Sequence, residues 1–283
     1  METIMHSSKT ILTVFAHPDD EVFGAGGVAA HYAEQGDRVV IACVTRGEAG
    51  EISDPALATP ATIGAVREGE LRTAAAALGV TDVRLLGFRD AGMAGTPENE
   101  DPRTLHRTPP AEATQRMVAL LRAVRPDVVI THDPTGGYGH PDHIATCQYV
   151  TAAFDAAGDS LQFPEAGAAW SPARLYYNVI PRSFFQRLRE QMQRQGLDTT
   201  QWDTSGFEER GVTDEEVTHL IDVSAHFAHK QAAFAAHRTQ FGADSPINQM
   251  PEALQREVFG REVFVQARPQ LDGGFVQQHD LFS

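Results

Sequence analysis

Two short stretches of this chain concentrate side chains that can do chemistry: Ala16-His17-Pro18-Asp19-Asp20-Glu21, and Gly136-Gly137-Tyr138-Gly139-His140-Pro141-Asp142-His143. In the first, a histidine and two adjacent carboxylates directly follow the apolar run 10–15. Ionisable groups held that close to a core need their charge compensated, and a divalent cation does this. Zinc accepts imidazole and carboxylate donors, and catalytic zinc sites use three protein ligands with one position open. His17, one of the two aspartates and one of the later histidines would make such a set. The other aspartate would then take a proton from a water acidified by the ion. If His143 is a ligand, His140 lies about one turn earlier with its ring free to stabilise an oxyanion or protonate a departing amine. Asp142 is placed to orient one of these rings, and Tyr138 adds a hydroxyl donor. The chemistry this predicts is metal-dependent hydrolysis.

Other readings explain the residues less completely. Pro, Asp and Asp are good turn formers, so His17 to Asp20 alone could be a capped turn. Two such clusters after two separate strands are a different matter. A His-x-Asp pair with a distant histidine also matches the facial triad of iron oxygenases, but those favour an all-β barrel over alternating strands and helices. Gly24-Ala25-Gly26-Gly27 lacks the spacing of a dinucleotide fingerprint. A metal- or sugar-binding module without catalysis would not need both Asp19 and His140. His31, His106, His219 and His279 read as scattered structural histidines, and His132, at the end of a strand, is left unassigned. Cys43 and Cys147 belong to no CxxC pair and read as small buried hydrophobes.

Composition narrows the setting. The 283 residues are 42% hydrophobic and 22% charged, as in ordinary globular proteins. Acidic residues outnumber basic ones 38 to 23, for a net charge of −15, which disfavours nucleic acid as a partner. No stretch has the length and apolarity of a membrane span, and the first nine residues are too short and polar for a signal peptide. The expectation is a cytoplasmic protein without a membrane partner, acting on a small molecule and free to form a homo-oligomer.

The elements that must position the clusters follow the rhythm of a parallel sheet flanked by helices, an α/β, Rossmann-like fold. Strands are predicted at 10–16, 39–45, 83–86, 128–131, 174–179 and 219–223. Helices are predicted at 24–35, 63–78, 111–124, 141–154, 182–194 and 225–239. Both clusters then sit at strand carboxyl ends, on one edge of the sheet, where open α/β folds place their sites. Residues after Phe241 mix Pro, Gly and polar residues and are expected to wrap the core. A flexible 1–9 segment and one domain over 10–283 complete the layout.

Ala16 to Glu21 together with Gly139-His140-Pro141-Asp142-His143 resembles the PIG-L/LmbE family of zinc-dependent N-acetylglucosaminyl deacetylases. The likeness extends over much of 10–240, through Arg46-Gly47-Glu48, through Arg67 with Glu70 and Leu71, and through Arg89-Asp90-Ala91-Gly92-Met93. It is nearest to the deacetylases and amidases of glucosamine-linked thiol biosynthesis, which share the tyrosine at Tyr138. The resemblance implies His17, Asp20 and His143 as ligands of zinc, or of ferrous iron in its place, and Asp19 as general base. It implies His140, with Asp142 beside it, as general acid or oxyanion stabiliser, and Tyr138 as a second oxyanion contact. Glu48, Arg67, Asp90 and Met93 would line a sugar pocket. The implied reaction is hydrolysis of an N-acetyl or other N-acyl group from a glucosamine-containing small molecule.

Overall fold

Seven strands form one sheet: β1 (Thr10–Phe15), β2 (Arg38–Cys43), β3 (Asp82–Leu85), β4 (Val128–His132), β5 (Arg174–Asn178), β6 (His219–Asp222) and β7 (Arg261–Arg268). Their order is β3-β2-β1-β4-β5-β7-β6. This is a computed structural model that describes residues 8–194, 196, 209–242, 245–271 and 277–283. Most of the segment expected to be flexible, residues 1–7, lies outside them. Neighbours from β3 to β5 pair in parallel, and β7 runs antiparallel between β5 and β6. The mostly parallel α/β fold read from the sequence is the one observed.

Side chains alternate across the sheet and feed two cores. Ile11 and Phe15 of β1, with Ile41 and Ile130, face α1 (Asp20–Glu34), α2 (Ile63–Ala77) and α6 (Phe227–Ala236). Leu12 and Val14, with Val40 and Val129, face α3 (Pro110–Val124) and α4 (Pro141–Ala157). Burial on both faces explains the nearly continuous apolar runs of β1, β2 and β4. Helix α5 (Arg182–Arg194) packs Leu188 and Met192 on Met250 and on Leu254 of α8 (Glu252–Phe259); the short α7 (Pro246–Gln249) precedes it. The irregular stretch after α4 is gathered by buried Arg122. Its guanidinium donates to the carbonyls of Ala157, Asp159, Gln162, Phe163 and Gly167 at 2.6–3.2 Å.

Two expectations need correcting. Residues after Phe241 contribute β7, an interior strand, rather than only a wrap. Helix α1 begins at Asp20, not at Gly24, because Asp20 and Glu21 suit the positive end of a helix. The glycines instead accompany a kink. Ala25 leaves helical geometry at φ −158°, and the N–H groups of Gly27 and Val28 donate to the Glu262 carboxylate at 2.7 and 2.8 Å. Lys230 Nζ meets the same carboxylate at 2.6 Å, with both side chains no more than 2% exposed.

This pair makes a stability prediction. Lys230→Met would strip the cation from a buried carboxylate, a loss of about 3–5 kcal/mol for a buried pair broken on one side. Urea denaturation should show the midpoint fall accordingly. An unchanged midpoint would mean that the two backbone N–H groups alone satisfy Glu262.

Candidate metal centre

The strand order reverses between β1 and β4, and both ionisable clusters leave the sheet there. His17 follows β1 directly, and Asp20 opens α1. After β4 the chain turns through Gly136 at φ +67°, where a Cβ would lie 2.8 Å from Ile144 Cγ1 and 3.1 Å from His143 Cβ. Glycine there lets the Gly136 carbonyl approach Nδ1 of the His143 ring. His140 is the N-cap of α4 and Pro141 its first residue, so His143 falls in the opening turn.

Three donor atoms converge. Asp20 Oδ2 lies 3.4 Å from His17 Nδ1 and 3.4 Å from His143 Nε2, and those two nitrogens are 3.2 Å apart. A tetrahedral zinc with bonds of 2.0–2.1 Å has ligand-to-ligand edges of about 3.3–3.4 Å. The opposite nitrogens face oxygens: His17 Nε2 lies 3.2 Å from Asp142 Oδ2, and His143 Nδ1 lies 3.2 Å from the Gly136 carbonyl. Those oxygens require the N–H on the far side of each ring. The nitrogens that face each other therefore offer lone pairs to a common centre, and the residues fit a divalent ion.

Electrostatics favours a positive charge at the same place. Burial alone would depress the His17 pKa, yet Asp90, Asp142 and Asp20 around the ring raise it well above its ordinary value. Burial opposes the charge of Asp20 too, but His143 and His132 hold its carboxyl well below the usual range. Among the described residues the His/Asp groups able to hold an ion all fall here: His17-His140-His143, His17-Asp90-His140-Asp142, and Asp20-His132-His143.

Several members of these groups are committed elsewhere. His132 Nε2 accepts the Ala16 N–H at 3.0 Å, and its ring stacks on His143 at 3.9 Å between centroids. His140 Nδ1 accepts the Asp142 N–H at 3.2 Å, so the ring carries its proton on Nε2. Burial first, then the rings of His17 and His143, lower the His140 pKa to about 3. The Asp142 carboxylate touches His17 rather than His140, and also accepts the Ala91 N–H at 2.8 Å. Asp142 thus stays beside His140, with their ligating atoms within 4.8 Å, while its carboxylate hydrogen bond goes to His17.

Asp19 stands outside the triangle. Its Oδ2 lies 3.3 Å from Arg67 Nη2, and burial pushes its carboxyl up to about 6, with the guanidinium working against the shift and Asp20 adding to it. Tyr138 is 36% exposed, with its ring edge toward His143 at 5.2 Å between centroids. Burial of the hydroxyl raises the Tyr138 pKa.

The four residues implied as sugar-pocket lining divide into two pairs. Met93 is 46% exposed, and Glu48 is partly open, accepting the Asp90 N–H at 3.3 Å. Arg67 and Asp90 are buried and turned toward the chain itself. Arg67 donates to the carbonyls of Gly47 and Pro18 at 3.0 and 2.6 Å. Gly47, at φ +67°, lies so close that a Cβ would collide with that guanidinium. Asp90 accepts the N–H groups of Gly92 and Ala49 at 2.8 and 3.0 Å, and its Oδ1 sits 3.5 Å from His17 Nε2.

Sequence reasoning passed over three residues at this edge. His132 was visible as a strand-end histidine but had no role. Glu21 and His237 meet at 2.6 Å, a pairing across 216 positions that no local motif announces.

With this geometry in view, the comparisons with known proteins agree in kind. The profile of the PIG-L family, described as GlcNAc-PI de-N-acetylase, matches residues 12–154. A 1D-myo-inositol 2-acetamido-2-deoxy-alpha-D-glucopyranoside deacetylase of Geodermatophilus obscurus is 38% identical, over 99% of each chain. A protein of the same name from Thermobispora bispora is 39% identical, over 91% of this chain and 88% of its own. Among solved structures, an N,N'-diacetylchitobiose deacetylase from Pyrococcus horikoshii superposes with a TM-score of 0.65. It covers 92% of this chain and 84% of its own at 21% identity, a likeness of fold. The profile match spans both ionisable clusters and the relatives run the length of the chain: this protein belongs to the PIG-L family.

Proposed function

We propose that the protein is a zinc-dependent deacetylase that hydrolyses the N-acetyl group of a glucosamine joined to a small polyol, the substrate type named by its full-length relatives. The observation that carries the reading is the triangle of His17 Nδ1, Asp20 Oδ2 and His143 Nε2, with the carboxylate of Asp19 beside it and not part of it. His17, Asp20 and His143 would hold the ion, with zinc ahead of ferrous iron because two imidazoles and one carboxylate suit it. Once bound, the ion would supply Lewis acidity toward an amide carbonyl and an attacking water.

The chain's own groups do the rest. Asp142 orients His17 through Nε2–H, as outer carboxylates do for metal-bound histidines. Asp19 takes the proton that the water loses as its oxygen bonds to the carbonyl carbon. As the carbon–nitrogen bond breaks, that proton passes to the nitrogen, giving acetate and a free amine. His140, uncharged at the N-cap of α4, donates from Nε2 to the oxygen that becomes anionic, and Tyr138 adds a second donor. Of the two roles open to His140, the bond to its Nδ1 and its lowered pKa support oxyanion stabilisation over acid catalysis. Met93 and Glu48 contact the sugar, while Arg67 and Asp90 shape its site by holding the surrounding loops.

This reading takes residues 10–283 as one domain working in the cytoplasm. Among the described residues no helix is long and apolar enough to cross a membrane. Self-association is checked by sedimentation.

The test is an amine-release assay over an inositol conjugate of N-acetylglucosamine, free N-acetylglucosamine and N-acyl thiol conjugates, with chelated enzyme as control. The inositol conjugate should give the highest kcat/KM, and chelation should abolish release. Preference for the thiol conjugates would make the protein an amidase of that class. No release from any of them would overturn the hydrolase reading.

A further inference from the structure

Asp19 has φ 117° and ψ −33°, a region that costs a non-glycine residue about 1–3 kcal/mol and persists only where neighbours enforce it. The enforcing contacts are specific. The Asp19 N–H donates to Glu21 Oε2 at 2.8 Å, its carbonyl accepts the Val22 N–H at 3.0 Å, and Arg67 grips the preceding Pro18 carbonyl at 2.6 Å. Of these, only Glu21 passes the constraint to the far end of the chain. Its Oε1 lies 2.6 Å from His237 Nε2, and the two residues are 2% and 0% exposed.

His237 caps the end of α6, and its own neighbourhood is firmly seated. Two residues on, Thr239 donates its N–H and Oγ1–H to Glu70 of α2 at 2.8 and 2.6 Å, and its carbonyl accepts the Ser53 N–H at 2.9 Å. Among the described residues the ring makes one hydrogen bond, with Glu21, and its buried Nδ1 finds no hydrogen-bond partner. An orphaned buried nitrogen works against stability by about 1–3 kcal/mol. A leucine or phenylalanine would fill such a place without that penalty, so packing does not explain a histidine. Holding Glu21 does.

We infer that His237 is a positioning residue for the proposed base: through Glu21 it fixes the backbone turn at Asp19, and so where the Asp19 carboxylate reaches. It touches neither the ligand triangle nor the sugar site. The inference rests on Asp19 being the base.

The test compares His237→Leu, His237→Gln and His237→Asn in the full chain loaded with zinc, reading kcat, KM, metal content and thermal midpoint on the inositol conjugate. A glutamine amide nitrogen can occupy the place of ring Nε2 and donate to Glu21, whereas asparagine is too short. Misplacing a reacting group by about 1 Å can cost on the order of 10²-fold. The leucine and asparagine variants should therefore lose about 10–100-fold in kcat, with KM and metal content unchanged. Glutamine should recover most of the rate, which a packing role would not allow. If the leucine variant does not fold, the glutamine and asparagine pair decides.

Asp19→Asn, alone and combined with His237→Leu, separates the two ideas. Positioning through Asp19 requires that the second change add little to the first. Full activity in Asp19→Asn overturns the base reading itself. A slow Asp19→Asn beside a His237→Leu of normal kcat overturns only the positioning role. So does a glutamine variant as slow as asparagine, or a rate loss that tracks loss of metal.

Discussion

Asp20→Ala is expected to give a folded protein that retains no metal after dialysis and has lost about 10³-fold or more in kcat, the scale of a several-kcal/mol loss of Lewis-acid stabilisation. Asp20 Oδ2 is the charged corner of the triangle, 3.4 Å from each of the two facing histidine nitrogens. Without it two imidazoles remain, and a divalent ion loses both a ligand and the compensating negative charge. The fold should survive, because the other contacts of that oxygen, the His17 N–H at 2.7 Å and His132 Nε2 at 3.5 Å, lie at the carboxyl ends of the strands and not in the core of the sheet. Stripping the wild-type protein with a strong chelator should reproduce the loss, and zinc or ferrous iron should reverse it. The variant should not be rescued by either ion at stoichiometric concentration. Elemental analysis showing one equivalent of metal in Asp20→Ala would place the ion on a different set, with His140 or His132 replacing the aspartate.

The sequence exposed the parts of this site that are local. His17, Asp19 and Asp20 lie in one turn after β1, and His140 and His143 open the helix after β4, so strand ends placed both clusters at one edge, while the choice of Asp20 and His143 as ligands rested on the family resemblance. What it concealed depends on side-chain direction over long separations. Asp142 reaches His17 across 125 positions, and nothing in Gly139 to His143 distinguishes that from a contact with its own neighbour His140. Strand β7 was missed for a different reason. Its buried positions are Glu262, Phe264, Gln266 and Ala267, two of them polar, while Val263 and Val265 are only partly buried. The two buried polar residues are there for work that only the fold reveals: Glu262 closes the kink in α1, and Gln266 accepts from the Tyr176 hydroxyl at 3.2 Å. His237 was invisible likewise, a lone histidine at a helix end whose partner lies in the first cluster.

Adjacent aspartates with opposite jobs give the second large effect. Asp19→Asn is expected to lower kcat by about 10²–10⁴, the usual worth of a general base, while metal content stays at the wild-type level. Asparagine is the least disturbing replacement here. It keeps the size of the side chain, still offers an oxygen to Arg67, and tolerates positive φ better than most residues, so the turn at φ 117° should hold. What it removes is basicity. The carboxyl of Asp19 is suited to that job, since burial and the neighbouring Asp20 push it up to about 6, where it still ionises at neutral pH yet holds a proton better than an exposed aspartate. Asp20→Asn should behave in the opposite way, losing metal first and rate as a consequence. Measuring both properties in both variants distinguishes a ligand from a base. An Asp19→Asn protein that loses its metal, or an Asp20→Asn protein that keeps metal and loses only rate, would exchange the two roles. The hydrolytic chemistry would stand in either case, because it needs one carboxylate on the ion and one beside it, and the chain supplies both within a single turn.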